Sequence, residues 1–384
     1  MISSAKLAWL QLRQQRIRLL VAIAGVAFAA ILIFMQLGFQ EALFKSAVTV
    51  HGKLRADLVL ISPQSAYLVA MKPFPGRRLY QAAAFEGVED VTPLYASVGD
   101  WKNPNTGRTR GIFVIGFDPS DESLAIEAVS SRRELVRYPD RVLFDSAARP
   151  EYGPVASSVQ QGEVVSTELN RREVEVVGLF ELGTSFGIDG TVITSDLNFL
   201  RMFPDFTPGM LSMGLIRVSE GEDPEAVRAA IDAELPGDVE VLTKQQYLDR
   251  EVNYWASATP IGYIFTFGTI MGLVVGAIIV YQILFADISD HLAEYATLKA
   301  MGYANRFLVR VVLMEALILA LGGFLPGLLI SWQLYGLTAD ATLLPLAISP
   351  RIAGSVLGLT VGMCWISALI AVRKVRTADP AEIF

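Results

Sequence analysis

The two histidines, His51 and His291, are the natural starting points for general-base or metal chemistry, and neither has the company such chemistry needs. No HExxH places two zinc ligands and a base on one helix face. No G-x-S-x-G occurs, and neither histidine has a partner constellation that would activate a serine. Asp118, Asp121 and Glu122, in FDPSDES, lack the ligand spacing of an EF-hand loop and read as turn caps. The single cysteine, Cys364, sits in an apolar run, so an intrachain disulfide, a thiolate metal cluster and a CxxC redox pair are all excluded. The phosphate-cradling G-x-x-x-x-G-K-[ST] is missing too: its nearest fragment, Gly52-Lys53, continues with Leu54. The expected sets of catalytic residues and metal ligands are therefore empty, and the chain is expected to bind no cofactor of its own.

Recognition chemistry shows instead in residues 286–302, ADISDHLAEYATLKAMG. The run has helical character and stops at Gly302, a glycine suited to the C′ position. On one continuous helix Asp287, Asp290, His291, Glu294 and Leu298 would share a face. Ala293, Ala296, Thr297 and Ala300 are small enough to let a partner approach closely, Leu298 and Met301 offer apolar contact, and Lys299 adds a charge. A membrane-surface helix usually carries Lys and Arg on its polar face, so the acidic face here favours docking to a partner protein. Glu315 is the one ionisable group within an apolar span. Such a group is by default a functional-site candidate, although near the Arg310 end of its span it could also snorkel or pair with a base.

These residues need a scaffold, and the composition says where it lies. The 384 residues are 52% hydrophobic and 18% charged, with a mean hydropathy of +0.43, which is too apolar for an ordinary soluble chain. A net charge of −7 gives no basic field for nucleic acid. Four apolar runs, 19–37, 259–286, 309–334 and 352–372, are each long enough to cross a hydrocarbon core of ~30 Å. A cleaved signal peptide is the competing reading of the first, but its apolar stretch is too long and no A-x-A site follows.

Basic residues cluster in the first 18 positions, at Lys299, Arg306 and Arg310, and at Arg373, Lys374 and Arg376. The 335–351 connection carries only Arg351. Both termini, 1–18 and 373–384, and the 287–308 segment are thus expected in the cytoplasm, with the insert at 38–256 on the outside. Gly268, Gly272 and Gly276, at four-residue spacing, and Gly322, Gly323 and Gly327 permit close helix contact, and homodimerisation through these faces is expected.

The insert reads as α+β. Phe39–Val50 continues the helical pattern of the first span, and Thr243-Lys-Gln-Gln246 is a capping box opening a helix toward the second. Between them, 57–62, 91–98, 111–117 and 211–218 are strand-like. Residues 163–167 and 173–180 read as a hairpin, and Asp223-Pro224 starts a helix that Pro236-Gly237 ends. A domain of this size can divide into two lobes, but no composition break marks the boundary.

AEYATLKAMGY followed by LVRVVLMEALILALGGFLPG, together with LAWLQLRQQRIRLLVAIAGV at the start and RKVRTADPAEIF at the end, resembles the FtsX-like permeases of MacB and LolC/LolE-type ABC transporters. Within that group, EYATLKAMGY on a chain without its own ATPase is most similar to the DevC-type permeases of cyanobacterial glycolipid export. The resemblance implies a type VII, MacB-like ABC permease in the inner membrane: four transmembrane helices with an inserted extracytoplasmic α+β domain. It also implies a homodimer and a separate, DevA-like ABC ATPase that binds ATP and Mg. A DevB-like membrane-fusion adaptor and a TolC-like outer-membrane channel complete the implied assembly. In that setting 287–302 is the coupling helix, with Glu294, Leu298 and Gly302 foremost, and the activity is mechanotransmission: ATPase closure moves the outer domain, which propels a lipid, glycolipid or other amphiphile. A departure from the pattern is Ala293, where many members have arginine. The alternative that the resemblance leaves open is an FtsX-like signalling subunit activating an extracytoplasmic cell-wall hydrolase.

Overall fold

A computed structural model of the chain describes residues 4–14 and 16–373. Lys374, Arg376 and the rest of the expected tail lie outside the described residues. The chain divides into two compact units, one of Met1–Ala42 with Pro260–Phe384 and one of Leu43–Thr259.

The first unit is helical. Among the described residues four helices are long and apolar enough to cross a membrane: Arg16–Ala47, Pro260–Asp290, Asn305–Thr342 and Pro350–Ala371. A shorter helix, Ser4–Gln14, packs against the third of them. The helices run beyond the apolar stretches because nothing stops them there. After Leu334 the third continues through YGLTADAT to Thr342, without a proline, and ends where Leu343 turns left-handed at φ 59°. Ser349 then opens the fourth helix, its hydroxyl accepting the Ile352 N–H at 3.2 Å with Pro350 in the first turn. Helix contacts are tight. A methyl group on Gly323 would sit 2.5 Å from the Val26 side chain and 3.0 Å from the Ala27 backbone nitrogen. One on Gly276 would sit 2.6 Å from the Met363 sulfur and 2.7 Å from Ala29 Cβ. Gly268 faces Gln36, Gly272 faces Ile33, Gly322 faces Ile23 and Gly327 faces Ala30 and the Ala27 backbone. These six glycines therefore join helices of one chain. The expectation that they form a homodimer face is corrected: their open sides are already filled.

The second unit carries eleven strands, β1 (Leu58–Ile61), β2 (Phe74–Pro75), β3 (Val88–Lys102), β4 (Thr109–Phe117), β5 (Arg141–Asp145), β6 (Val165–Leu169), β7 (Arg172–Phe180), β8 (Thr191–Ser195), β9 (Met210–Leu211), β10 (Met213–Val218) and β11 (Glu240–Thr243). Nine form one sheet in the order β11-β1-β10-β3-β4-β8-β5-β7-β6, which returns on itself through a Trp101–Leu169 pairing of β3 with β6. The long strand β3 explains the two lobes. Its first half, up to Leu94, pairs with β10, and its second half, from Leu94, pairs with β4. The first lobe packs helices Arg77–Ala82 and Pro224–Glu234 over Leu58, Leu60, Ile216 and Val241. The second encloses Trp101, Phe144, Tyr152 and Phe199. The lobe boundary thus runs through the middle of a strand.

Local chemistry accounts for several elements. The β6–β7 hairpin turns on Asn170 and Arg171, both left-handed at φ 50° and 62°, the conformation a two-residue hairpin requires. Thr243 and Gln246 form the reciprocal capping box at the start of Lys244–Asn253. Asp223 caps Pro224–Glu234 by accepting the Glu225 N–H. Asp118 accepts from the Ser120 backbone and hydroxyl, as a turn-capping residue does, and Glu122 pairs with Arg55.

Candidate functional site

The segment that joins the second and third membrane helices is built from a break. The second helix runs through Asp290, the chain turns at His291 (φ −95°, ψ 12°), and a separate helix covers Leu292–Ala300. One continuous helix from 286 to 302 was expected, and the break overturns the common face assigned to Asp287, Asp290, His291, Glu294 and Leu298. Asp287 and His291 are buried, and the His291 ring nitrogen Nδ1 lies 3.0 Å from the Asp287 carbonyl oxygen and 3.6 Å from its carboxylate. Asp290 points out and pairs with Arg18 at 2.6 Å, tying the start of the first membrane helix to the end of the second.

The short helix has two sides. Tyr295 and Ala296 are fully buried and Leu298 is partly buried, all against the core of Val280, Leu284, Leu308 and Val312. Ala293, Glu294, Thr297, Ala300 and Met301 face outward, Met301 being 63% exposed. Leu298 is therefore an anchor of the helix rather than part of its outer surface, and Lys299 lies half-buried between the two sides. Gly302 ends the helix at φ 91°: its N–H bonds the Lys299 carbonyl at 2.9 Å and the Tyr303 N–H bonds the Leu298 carbonyl at 3.1 Å. This is the paired C-terminal bonding that a left-handed C′ residue allows. The outward side presents small side chains, one acid and Met301, a surface suited to binding a groove of matching shape.

Behind it, Glu315 is fully buried in the third membrane helix, and neither carboxyl oxygen has a hydrogen-bond partner among the described residues. It neither snorkels nor pairs with Arg310. One Asp287 carboxyl oxygen is also without a hydrogen-bond partner among the described residues. Among the described residues no group of three His, Cys, Asp or Glu side chains is placed to hold a metal ion.

A second polar knot, which no motif announced, lies in the other unit. Buried Glu251 accepts the Leu68 N–H and the Trp255 indole N–H, both at 2.9 Å, with His51 Nε2 at 3.4 Å. The Tyr247 ring lies 4.5 Å from the His51 ring. It joins the short helix Thr49–Gly52 to the helix Lys244–Asn253. Only the i,i+4 spacing of Glu251 and Trp255 could have hinted at it.

Residues 19–234 match the MacB-like periplasmic core domain, and residues 266–380 match the FtsX-like permease C-terminal domain. The chain belongs to the FtsX/MacB permease family. Its four membrane helices and inserted sheet-rich domain make it a type VII ABC transporter permease, a multi-pass inner-membrane protein with a periplasmic domain. Two curated relatives, the uncharacterized ABC transporter permeases MT0078 and Rv0072 of Mycobacterium tuberculosis, are each 23% identical to it over 99% of this chain and 98% of theirs. Among solved structures, the periplasmic region of MacB from Actinobacillus actinomycetemcomitans is similar with a TM-score of 0.36 at 11% identity, covering 52% of this chain and 94% of that one. The extracellular domain of the noncanonic ABC-type transporter YknZ from Gram-positive bacteria is similar with a TM-score of 0.33 at 11% identity, covering 48% and 99%.

Proposed function

We propose that this permease couples ATP hydrolysis by a separate ABC ATPase to movement of its periplasmic domain, and that Leu292–Ala300 is the coupling helix. The observation that carries the reading is the two-sided helix between the second and third membrane helices. Tyr295 and Ala296 root it in the membrane core, whereas Ala293, Glu294, Thr297 and Met301 are left outside. A helix anchored on one side and small-to-acidic on the other is suited to fill a groove of a partner and to carry force back into the helices that root it. In this reading ATP and Mg bind the partner, the chain itself has no catalytic residue, and both termini and the coupling helix are cytoplasmic.

The assembly follows from the same reading: two copies of the permease, two ATPase subunits, a membrane-fusion adaptor and an outer-membrane channel, exporting a lipid, glycolipid or similar amphiphile. Because the six glycines of the second and third helices are occupied within the chain, a second copy would have to meet other faces. Affinity purification of the full chain in mild detergent, with the bound subunits identified by mass spectrometry, tests the assembly. An ABC ATPase together with an adaptor supports export. A cell-wall hydrolase in place of the adaptor would replace export with signalling, and purification without any ATPase would end the proposal.

A further inference from the structure

The loop between β7 and β8, Glu181–Gly190, is held more firmly than a surface connection needs to be. Buried Asp145 accepts the Leu182 and Gly183 N–H groups, both at 3.0 Å. At the other end Asp189 accepts from Arg149 Nε at 2.6 Å and pairs with Arg110, and its carbonyl accepts the Arg149 N–H at 2.9 Å. Between the clamps Ser185 donates its N–H to the Ile188 carbonyl at 2.7 Å, closing a tight turn, and Thr184, Ser185 and Ile188 are buried. The turn presents one large side chain, Phe186, which is 50% exposed.

Phe186 stands edge-on against Trp255, ring centroids 5.7 Å apart. Trp255 is fixed from below by Glu251 and belongs to an aromatic group with Tyr67 and Tyr254, whose rings stack at 4.4 Å. Gly187 lets the turn approach, since a Cβ there would lie 3.3 Å from the Trp255 ring. Trp255 sits in a π-helical stretch, Tyr254–Ala258, which leads directly into Pro260, the first residue of the second membrane helix. The loop therefore rests on the residues through which the chain passes from domain to bilayer. No charged side chain lies between Glu181 and Asp189.

We propose that the Glu181–Gly190 loop is a membrane-contact element whose Phe186 ring enters the headgroup and upper acyl region of the outer leaflet. Membrane-bound amphipathic segments bury Trp, Phe and Leu at that headgroup–acyl boundary. The partner is the phospholipid surface itself. A half-exposed phenylalanine alone would signify nothing. The assignment comes from its rigid mounting and from its contact with Trp255, five residues before the second membrane helix begins.

The test uses the full chain in a Cys364→Ala background, reconstituted in phosphatidylcholine nanodiscs with and without brominated acyl chains. Phe186→Cys carries a bimane fluorophore, and Leu197→Cys, equally apolar, 60% exposed and at the opposite end of β8, is the reference. Membrane contact predicts bromolipid quenching at position 186 about twofold or more above that at 197. Equal quenching at both positions would overturn the proposal, as would a label at 186 shielded only when adaptor or cargo is added. Because the label replaces the phenylalanine, the unsubstituted chain is also irradiated with a phospholipid bearing a diazirine near its headgroup. An adduct on the peptide containing Phe186 supports the contact, and its absence while other membrane-adjacent peptides are modified refutes it.

Discussion

Glu315→Leu is expected to make the permease more stable. Glu315 is fully buried in the third membrane helix and both carboxyl oxygens lack a hydrogen-bond partner among the described residues. Leaving a polar group buried and unsatisfied costs about 1–3 kcal/mol, and more for a charged group. Leucine has a similar volume, and Val311, Val312 and Leu319, at i−4, i−3 and i+4 on the same helix, are all fully buried. Removing the carboxyl should therefore raise unfolding free energy by about 1–3 kcal/mol, less up to about 1 kcal/mol of repacking strain. Glu315→Gln keeps two buried polar atoms and should gain nothing comparable. Reversible unfolding of the full chain in mixed micelles, followed by circular dichroism, measures the difference between the two variants. A Glu315→Leu chain less stable than the original by more than about 1 kcal/mol would refute the reasoning, because it would mean that the carboxyl has a partner worth more than its burial costs. If stability rises while transport fails, the buried acid is held for work rather than for folding.

Three further outcomes are expected. Gly323→Ala drives a methyl group into Val26 and the Ala27 backbone and should cost about 1–3 kcal/mol in the same unfolding assay, whereas Gly354→Ala, which meets open space, should be near neutral. Glu251→Ala strips the acceptor from the Leu68 and Trp255 N–H groups and should destabilise by about 2–4 kcal/mol, with the Trp255 environment altered in near-ultraviolet circular dichroism. Burial raises the Asp189 carboxyl, but the hydrogen bonds and charges of Arg110 and Arg149 outweigh that and leave it below the ordinary carboxylate range. A carboxyl lowered by folding contributes stability that is complete above the unfolded value of about 4 and is lost as pH falls through the folded one. Asp189→Asn should therefore flatten the acid limb of the stability–pH curve below about pH 4 and leave its slope near neutral pH unchanged.

Much of this architecture is legible in the residues. Runs of nineteen or more residues that are almost all apolar admit few readings, and Thr243 with Gln246 or Asp223 with Pro224 announce helix starts because the capping chemistry is local. Strands β5 and β8 are harder to see. All five residues of β8 are buried, so no alternation marks it, and its neighbours β4 and β5 come from distant sequence. The lobe boundary is invisible because β3 passes through it unbroken. In residues 286–302, helical spacing correctly suggests helix but says nothing of where the core lies. Asp287 and His291 look like surface residues by type, and only the packing of four helices places them inside. The glycines of the second and third helices were legible as close contacts, yet spacing alone cannot tell a contact within the chain from one between copies.

The measurement that bears most directly on the proposed coupling role of Leu292–Ala300 is ATPase stimulation in the reconstituted complex with Glu294→Arg and Met301→Asp, both outward-facing positions. If Leu292–Ala300 transmits force, either substitution should lower permease-stimulated turnover by about tenfold, the equivalent of roughly 1.4 kcal/mol at the interface, while the permease unfolds as before. Full stimulation by the doubly substituted chain would contradict the account, and the coupling would then have to run through another part of the permease.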